Sequence, residues 1–470
     1  MANQSLSFGL RIRSDPNFII STTAIGVFTD LFLYGIVVPI LPFMLQDRFH
    51  LPEEDVQLYS SKLLAAYSAS TVVFSLPAGW LADKASSRRL PYLVGLFLLL
   101  AATPLFAFGQ SIAVLVVARI LQGISAAVVW SVGFAMVLEA VGKGKMGKVL
   151  GTIYSFSTIA QLVSPILGGI LYHAVGTIGV FGVSMGILAV DLIMRLLVIE
   201  NKGGEINAAG RRDQASSDTY SREEALDSTA HPREDDPLLP KGEEDEYRVH
   251  GDVGYLLQAL PILYCFRNPR FLLAMLTSLT QAMIISMFDA TIPTEAESLL
   301  HFSSLQVGLL FTALIAPCTM LGWFFGWMLD KYGTKVVSTT GYGFMVPCLV
   351  LLGLPSQDFI GGHIRVGLYS VILSLNGIGL SIINLPGFVE ASNVMKRYEG
   401  ANPTFFGENG SYAQLYGLNS FFIFLGRTVG PLLAAALRTS VGYGWMGISF
   451  AILSAVMAVL SYWFMGEKKQ

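Results

Sequence analysis

The sequence predicts an all-α membrane protein, with twelve transmembrane helices in two pseudo-symmetric six-helix bundles. Three observations carry that expectation. The first is composition: 470 residues, 53% hydrophobic but only 13% charged, with mean hydropathy +0.58, where a soluble domain carries roughly 25% charge. The second is a set of long apolar runs beginning near Phe18, Leu63, Leu90, Ile112, Val149 and Gly176, then near Leu272, Leu305, Val336, Val366, Ala413 and Trp445. At roughly 20 residues per span, twelve spans use about half the chain. The third is a short motif after the second run that returns after the eighth.

Several classes are disfavoured at once. Cys265, Cys318 and Cys348 show no ligand spacing. A net charge of −3 gives no basic footprint for nucleic acid. No nucleotide loop of the form GxxxxGK[ST] is present, and all six histidines fall outside the centres of the runs. Neither a cofactor nor a metal is expected, and an enzyme is not.

The first run exceeds the length of a cleavable signal and contains Asp30. Glycine and proline recur inside the runs, as expected where neighbouring helices satisfy the backbone. Lys and Arg then set orientation. One set of short segments carries Arg11, Arg13, Lys84, Arg88, Arg89, Lys143, Lys145, Lys148, Lys331, Lys335, Lys396, Arg397, Lys468 and Lys469. The opposite set carries only Arg48, Lys62, Arg365 and Arg438. Both termini are therefore expected in the cytosol. The sequon Asn409-Gly410-Ser411 falls on that side, so a glycan there would break the topology.

The chain divides into an N-terminal six-helix bundle over 1–200, a disordered cytosolic linker over 201–252 and a C-terminal bundle over 253–470. The linker is charged, Ser-rich and nearly free of aromatics, so it cannot bury enough surface to fold. Within it, Glu234 precedes Leu238-Leu239 with the spacing of an acidic dileucine sorting signal, which would engage a sorting adaptor. Val253 to Phe266 is expected to form an amphipathic helix at the membrane surface.

The two halves repeat each other. Gly79-Trp80-Leu81-Ala82-Asp83-Lys84 returns as Gly326-Trp327-Met328-Leu329-Asp330-Lys331, 247 residues on. Leu121-Gln122-Gly123-Ile124 returns as Leu375-Asn376-Gly377-Ile378, offset by 254, and Gly133-Phe134 as Gly387-Phe388. Gly151 and Pro165 return as Gly417 and Pro431, offset by 266. Such repeats are common in transporters, with the substrate site near the midplane between them.

Those residues also carry a resemblance. The Gly79–Arg89 segment resembles the loop signature of the major facilitator superfamily, with Ser87 in place of the usual glycine. Ala118-Arg119-Ile120-Leu121-Gln122-Gly123 resembles that family's span-four motif. Ser164-Pro165-Ile166-Leu167-Gly168-Gly169 resembles the span-five motif of its antiporters, with Ser164 and Ala160 where glycines are usual. Asp30 to Pro42, with Tyr34, Gly35 and Pro39, resembles span one of vesicular amine transporters and twelve-span fungal drug:proton antiporters.

An ionisable residue inside hydrocarbon is costly and needs a partner or a purpose. Asp30 lies about twelve residues into span one, roughly 18 Å along the helix, near mid-bilayer. A carboxylate there could bind a proton in one state and a cation in another, and the resemblance places it at the cationic end of the substrate. The bland alternative is an aspartate fixed by interhelical hydrogen bonds. Asp289 in the outer half of span seven is expected near the pathway, with Glu295 and Glu297 facing the exterior. Arg119 should seek a carboxylate such as Asp30, and the resemblance implies a part in proton coupling. Gln122, Tyr34, Gln161, Asn376 and Arg427 complete the expected proton-coupling or substrate-binding set, Gln161 and Arg427 being repeat-related. Aromatics such as Trp130, Tyr154 and Phe424 could stack on a cation.

The resemblance implies a cytosolic gate of Gly79, Asp83, Arg88 and Arg89, with Asp330 as the weaker counterpart. Pro165, Gly168, Gly169, Gly430 and Pro431 read as hinge and packing positions. Asp191 and Arg195 stand i, i+4 with the acid first, as a structural pair. Glu139 and Glu390 read as interfacial.

The function expected is proton-coupled antiport of amphipathic organic molecules such as drugs, amines or secondary metabolites. It would act as a monomer in a plasma or vacuolar/vesicular membrane. The alternatives are an importer or uniporter of a nutrient, and a non-transporting sensor on the same fold. Ser420 stands where vesicular amine transporters carry an aspartate, which argues against a monoamine cargo.

Overall fold

The computed structural model describes residues 16–84, 89–134, 136–137, 143–197, 247–249, 257, 260–356, 362–402, 405–406 and 412–466. The linker with Leu238 and Leu239, the sequon, Arg88 and Glu139 lie outside the described residues. So do the side chains of Gly79, Asp83, Arg89 and Tyr154.

The described chain is helical. Span 1 is Pro16–Val37, a 3-10 turn at Val38–Ile40 and Leu41–Phe49. Pro39 and Pro42 cannot donate to the preceding turn, so the helix tightens there. Span 2 is Glu53–Lys84, span 3 Arg89–Phe108, span 5 Lys143–Val175 and span 6 Thr177–Leu197. Span 4, Ile112–Val128, continues through a π-helical segment, Val129–Gly133. In the second half, span 7 is Pro269–Leu300, span 10 Gly362–Ile383, span 11 Tyr412–Val441 and span 12 Tyr443–Phe464.

Spans 8 and 9 arrive as one run, Ser304–Val350, of 47 residues. At 1.5 Å per residue that is about 70 Å, twice a bilayer core. Gly333, at φ 79° and ψ 167°, breaks it. That left-handed φ suits glycine, and open space surrounds the position. With the break counted, the described helices are consistent with the twelve spans expected. Large apolar side chains such as Trp323 (82% exposed) and Met320 (78%) stand outward, as a lipid-facing surface requires.

The bundle has two ends, one holding His50 and the other Phe464. Span 1 packs on span 5, and span 7 on span 11. Spans 2 and 4 cross so closely that a Cβ on Gly123 would lie 2.2 Å from the Tyr67 carbonyl oxygen. Spans 8 and 10 cross the same way, with Gly377 2.0 Å from the Leu314 oxygen on the same construction. The halves meet where span 2 packs on span 11 and span 5 on span 8. The interface thus places spans 1, 2, 4, 7 and 11 around one central region.

Ahead of span 7, Pro261–Arg267 is a 3-10 helix whose Pro261, Ile262, Tyr264 and Cys265 are buried. The described part of the expected amphipathic stretch is therefore packed against the second half rather than laid on a lipid surface. Tyr247 is buried there too, and Asn402 clasps this segment, accepting from Val249 N at 2.9 Å and donating to the Tyr247 carbonyl at 2.8 Å.

Candidate functional site

Asp30 sits at the centre of the first half, 2% exposed. Tyr67 on span 2 donates its hydroxyl to both carboxylate oxygens, at 2.8 and 2.9 Å. The indole N–H of Trp130 donates to Oδ2 at 3.0 Å. Trp130 stands in the π-helical segment of span 4, where an extra residue per turn redirects side chains; such bulges recur at functional sites. The rings of Tyr34, Tyr67, Trp130, Phe134 and Phe424 pack around this group, with Phe424 arriving from span 11.

Asp289 faces the same region from the second half and accepts from the Tyr34 hydroxyl at 3.2 Å. Arg427 lies over the Tyr34 ring, 5.4 Å from its centroid, and its charge acts on both Asp30 and Asp289. Four of the residues expected to form the site, Asp30, Tyr34, Asp289 and Arg427, are thus brought together. Neither aspartate forms an ion pair among the described residues.

The expected pairing of Arg119 with Asp30 does not occur. Arg119 is 1% exposed, lies 4.6 Å from the centroid of the Phe106 ring and donates one bond to Gln122 Oε1 at 3.2 Å. Its Nε and Nη2 have no hydrogen-bond partner among the described residues. Arg119 stands eleven residues, roughly 16 Å along span 4, from Trp130, the residue of that span that reaches the carboxylate. Gln161 turns back to its own helix, bonding the Ser157 carbonyl at 3.4 Å. Asn376 ties spans 9 and 10 together through the Cys348 and Ile372 carbonyls at 3.0 and 2.9 Å. Both stand apart from the aspartates.

Toward the His50 end the two halves are sealed. Gln57 of span 2, 1% exposed, donates to the Ala290 carbonyl and to Ser61, both at 3.0 Å. Its Oε1 accepts from Thr294 and, at 3.2 Å, from Arg438. Arg438 also pairs with Glu295 at 2.9 Å. Glu295 is 6% exposed, so it is a buried partner rather than the exterior-facing residue expected. Beside this seal, Gly169 and Gly308 let spans 5 and 8 touch backbone to backbone: a Cβ on Gly169 would lie 2.4 Å from the Ser304 oxygen. Gly168 and Gly430 are close-approach positions against spans 1 and 7, while Pro165 and Pro431 lie inside continuous helices.

At the Phe464 end, Asp330 is exposed. Glu390, expected as interfacial, is 1% exposed and accepts from Arg270, Thr334 and the Gly466 amide. Asp191 and Arg195 form the expected pair, buried, at 2.7 Å. No site role for Tyr67 or Gln57 is expected from the sequence, and Arg438 counts there only among the external loop charges. The one available signal was the polar run Tyr67-Ser68-Ala69-Ser70-Thr71 inside an apolar span.

Residues 23–407 match the family model of the Major Facilitator Superfamily. The chain belongs to that superfamily. It is 45% identical to the MFS-type transporter ppzB of Metarhizium rileyi, over 98% of this chain and 97% of that one. A more distant likeness, 27% identity over 43% of this chain and 42% of the other, links it to a probable vesicular acetylcholine transporter-B of Danio rerio. Among solved structures, the human organic anion transporter MFSD10 (TETRAN) superposes with TM-score 0.61 over 95% of this chain and 99% of its own, at 16% identity. That last likeness shows the fold alone. This superfamily member is an integral multi-pass membrane transporter and not an enzyme.

Proposed function

We propose that this transporter is a proton-coupled antiporter that exports or sequesters amphipathic organic molecules, cationic ones foremost. The observation that carries the reading is Asp30: a mid-span carboxylate, 2% exposed, held by two neutral donors and in no direct ion pair among the described residues. Burying such a group unpaired is costly, and binding either a proton or a cationic cargo removes that cost. Exchange of one for the other at a single carboxylate couples their movements. Aromatic rings around it offer faces to an organic cation. The partial likeness to a vesicular acetylcholine transporter supports no more than a positive charge on the cargo.

Orientation follows from charge. The Phe464 end carries Lys331, Lys335, Lys396 and Arg397, which supports a cytosolic position for it. The Gln57–Arg438–Glu295 seal then closes the external side. In the cycle, protons taken up on the acidic side release cargo there. Their loss to the cytosol restores the carboxylate for the next cargo.

The test is proton flux in proteoliposomes with an acidic lumen, read by an internal pH dye. Lipophilic cations, amines, neutral drugs and zwitterions are added outside. Alkalinisation triggered by cationic members supports the proposal. Labelled cargo crossing with no proton movement would replace it with uniport.

A further inference from the structure

On the Phe464 side of Asp30, spans 2, 4 and 11 enclose a cavity of about 50 Å³. Trp130 and Phe424 form aromatic walls, and Thr71, Ser75, Ser131 and Ser420 supply the polar lining. Sites for whole drug-sized ligands measure roughly 300 Å³ or more. This space therefore fits a head group, with the body of a cargo extending beyond it.

The hydroxyls fix what kind of head group. A hydroxyl has one proton to donate and two lone pairs. Thr71 donates its proton to the carbonyls of Tyr67 and Gly123, at 2.9 and 3.0 Å. Ser75 donates to the Val72 carbonyl at 3.0 Å, and Ser131 to the Ser75 carbonyl at 3.2 Å. A carbonyl oxygen only accepts, so the direction of every one of these bonds is settled. The three hydroxyls have only lone pairs left to offer the cavity. Trp130 is shared with the aspartate site, lining this cavity while donating to Asp30.

We infer that the cavity is a head-group subsite selecting cations that carry N–H donors, such as primary or secondary ammonium, amidinium or guanidinium groups, over quaternary ammonium. This rests on the cationic-cargo reading above. A quaternary head meets the same aromatic faces but leaves the hydroxyl lone pairs without a donor, in a place where unsatisfied polar atoms are costly. Anions meet three acceptors and only one hydroxyl proton, that of Ser420. A donor-bearing cation seated here lies one indole away from Asp30 and can take over the bond that Trp130 now makes.

The test is equilibrium binding to the purified full-length protein in lipid nanodiscs, by calorimetry. The probes are phenethylammonium, phenethylguanidinium, phenethyltrimethylammonium and a tert-alkyl primary ammonium that matches the trimethyl head in bulk but keeps its donors. The three donor-bearing probes are expected to bind about tenfold or more tighter than the quaternary one. Replacing Ser75→Ala together with Ser131→Ala should shrink that gap by weakening only the donor-bearing probes. The wild-type series stands by itself if the variant folds poorly. Equal affinities, all lost in Asp30→Asn, would sink the subsite and leave the cationic reading intact. No binding by any of the four would overturn both.

Discussion

The two halves of the molecule share a scaffold and differ in how their polar groups are used. Contacts recur at the repeat offsets: Gly123 on Tyr67 and Gly377 on Leu314, and Gly35 on Ser164 against Ser286 on Gly430, with the glycine and serine exchanged. Span 1 ends on His50 at φ 49° and span 7 on His301 at φ 52°, 251 residues later, each closing a bond of 2.9 Å, to Gln46 and Glu297. The chemistry is not repeated. Where the first half has Asp30 accepting from Trp130, the same offsets give Gln281 donating to Asn384 at 3.4 Å. Arg119 has Leu373 as its counterpart, and Tyr67 has Leu314. In the first half, Asp30 takes its bonds from Tyr67 and Trp130 of the same half. Along the seam, Asp289, Thr294, Arg427 and Arg438 of the second half instead reach across to Tyr34 and Gln57. Duplication kept the packing, one half kept the charged site, and the other became the surface that closes on it.

This contrast can be strained at several points. The largest effect is expected from Asp191→Asn, which leaves Arg195 buried without its partner in a span whose counterpart, span 12, has no charged residue. The cost should be about 3–5 kcal/mol, read as early thermal loss of monodisperse protein in detergent. Next come Gly123→Ala and Gly377→Ala. Each forces a Cβ against a carbonyl and should cost about 1–3 kcal/mol, and the two should match. A large difference between them would mean that the scaffold is less symmetric than its contacts.

Asp289→Asn should lower cargo uptake roughly tenfold, the size of one charge-assisted hydrogen bond, while Gln281→Ala, a long and exposed contact, stays within about twofold. Reversal of that order would move the working site along span 7, from the Asp289–Tyr34 seam to the Gln281–Asn384 contact. Gln57→Ala, the smallest in stability terms, removes three cross-half bonds of the seal. It should raise labelling of a cysteine placed at Ser61 from the external side a few-fold, about 1 kcal/mol in total, because the Arg438–Glu295 pair still holds the seal.

Much of this was legible in the sequence. The spans, the repeat, Asp30 and the Asp191–Arg195 pair follow from apolar run length, motif spacing and i, i+4 order, which are local properties. Gly333 was not read as the break between spans 8 and 9, yet the two apolar runs flanking it already implied one. What stayed hidden depends on which side of a helix faces which neighbour. In a membrane chain both the lipid and the core are apolar, so hydrophobic periodicity no longer marks the inward face. That is why Tyr67 escaped notice, why Arg119 was paired with the wrong group and why Glu295 was sent to the exterior. The π-helical turn that aims Trp130 at Asp30 leaves no mark in residue spacing.

The central claim is that coupling resides at Asp30 in the first half. It is tested most directly by cargo-driven proton flux from proteoliposomes containing Asp30→Asn, with Gln281→Ala in parallel. The account predicts no alkalinisation in the first and near wild-type flux in the second. Coupled flux surviving in Asp30→Asn would contradict it.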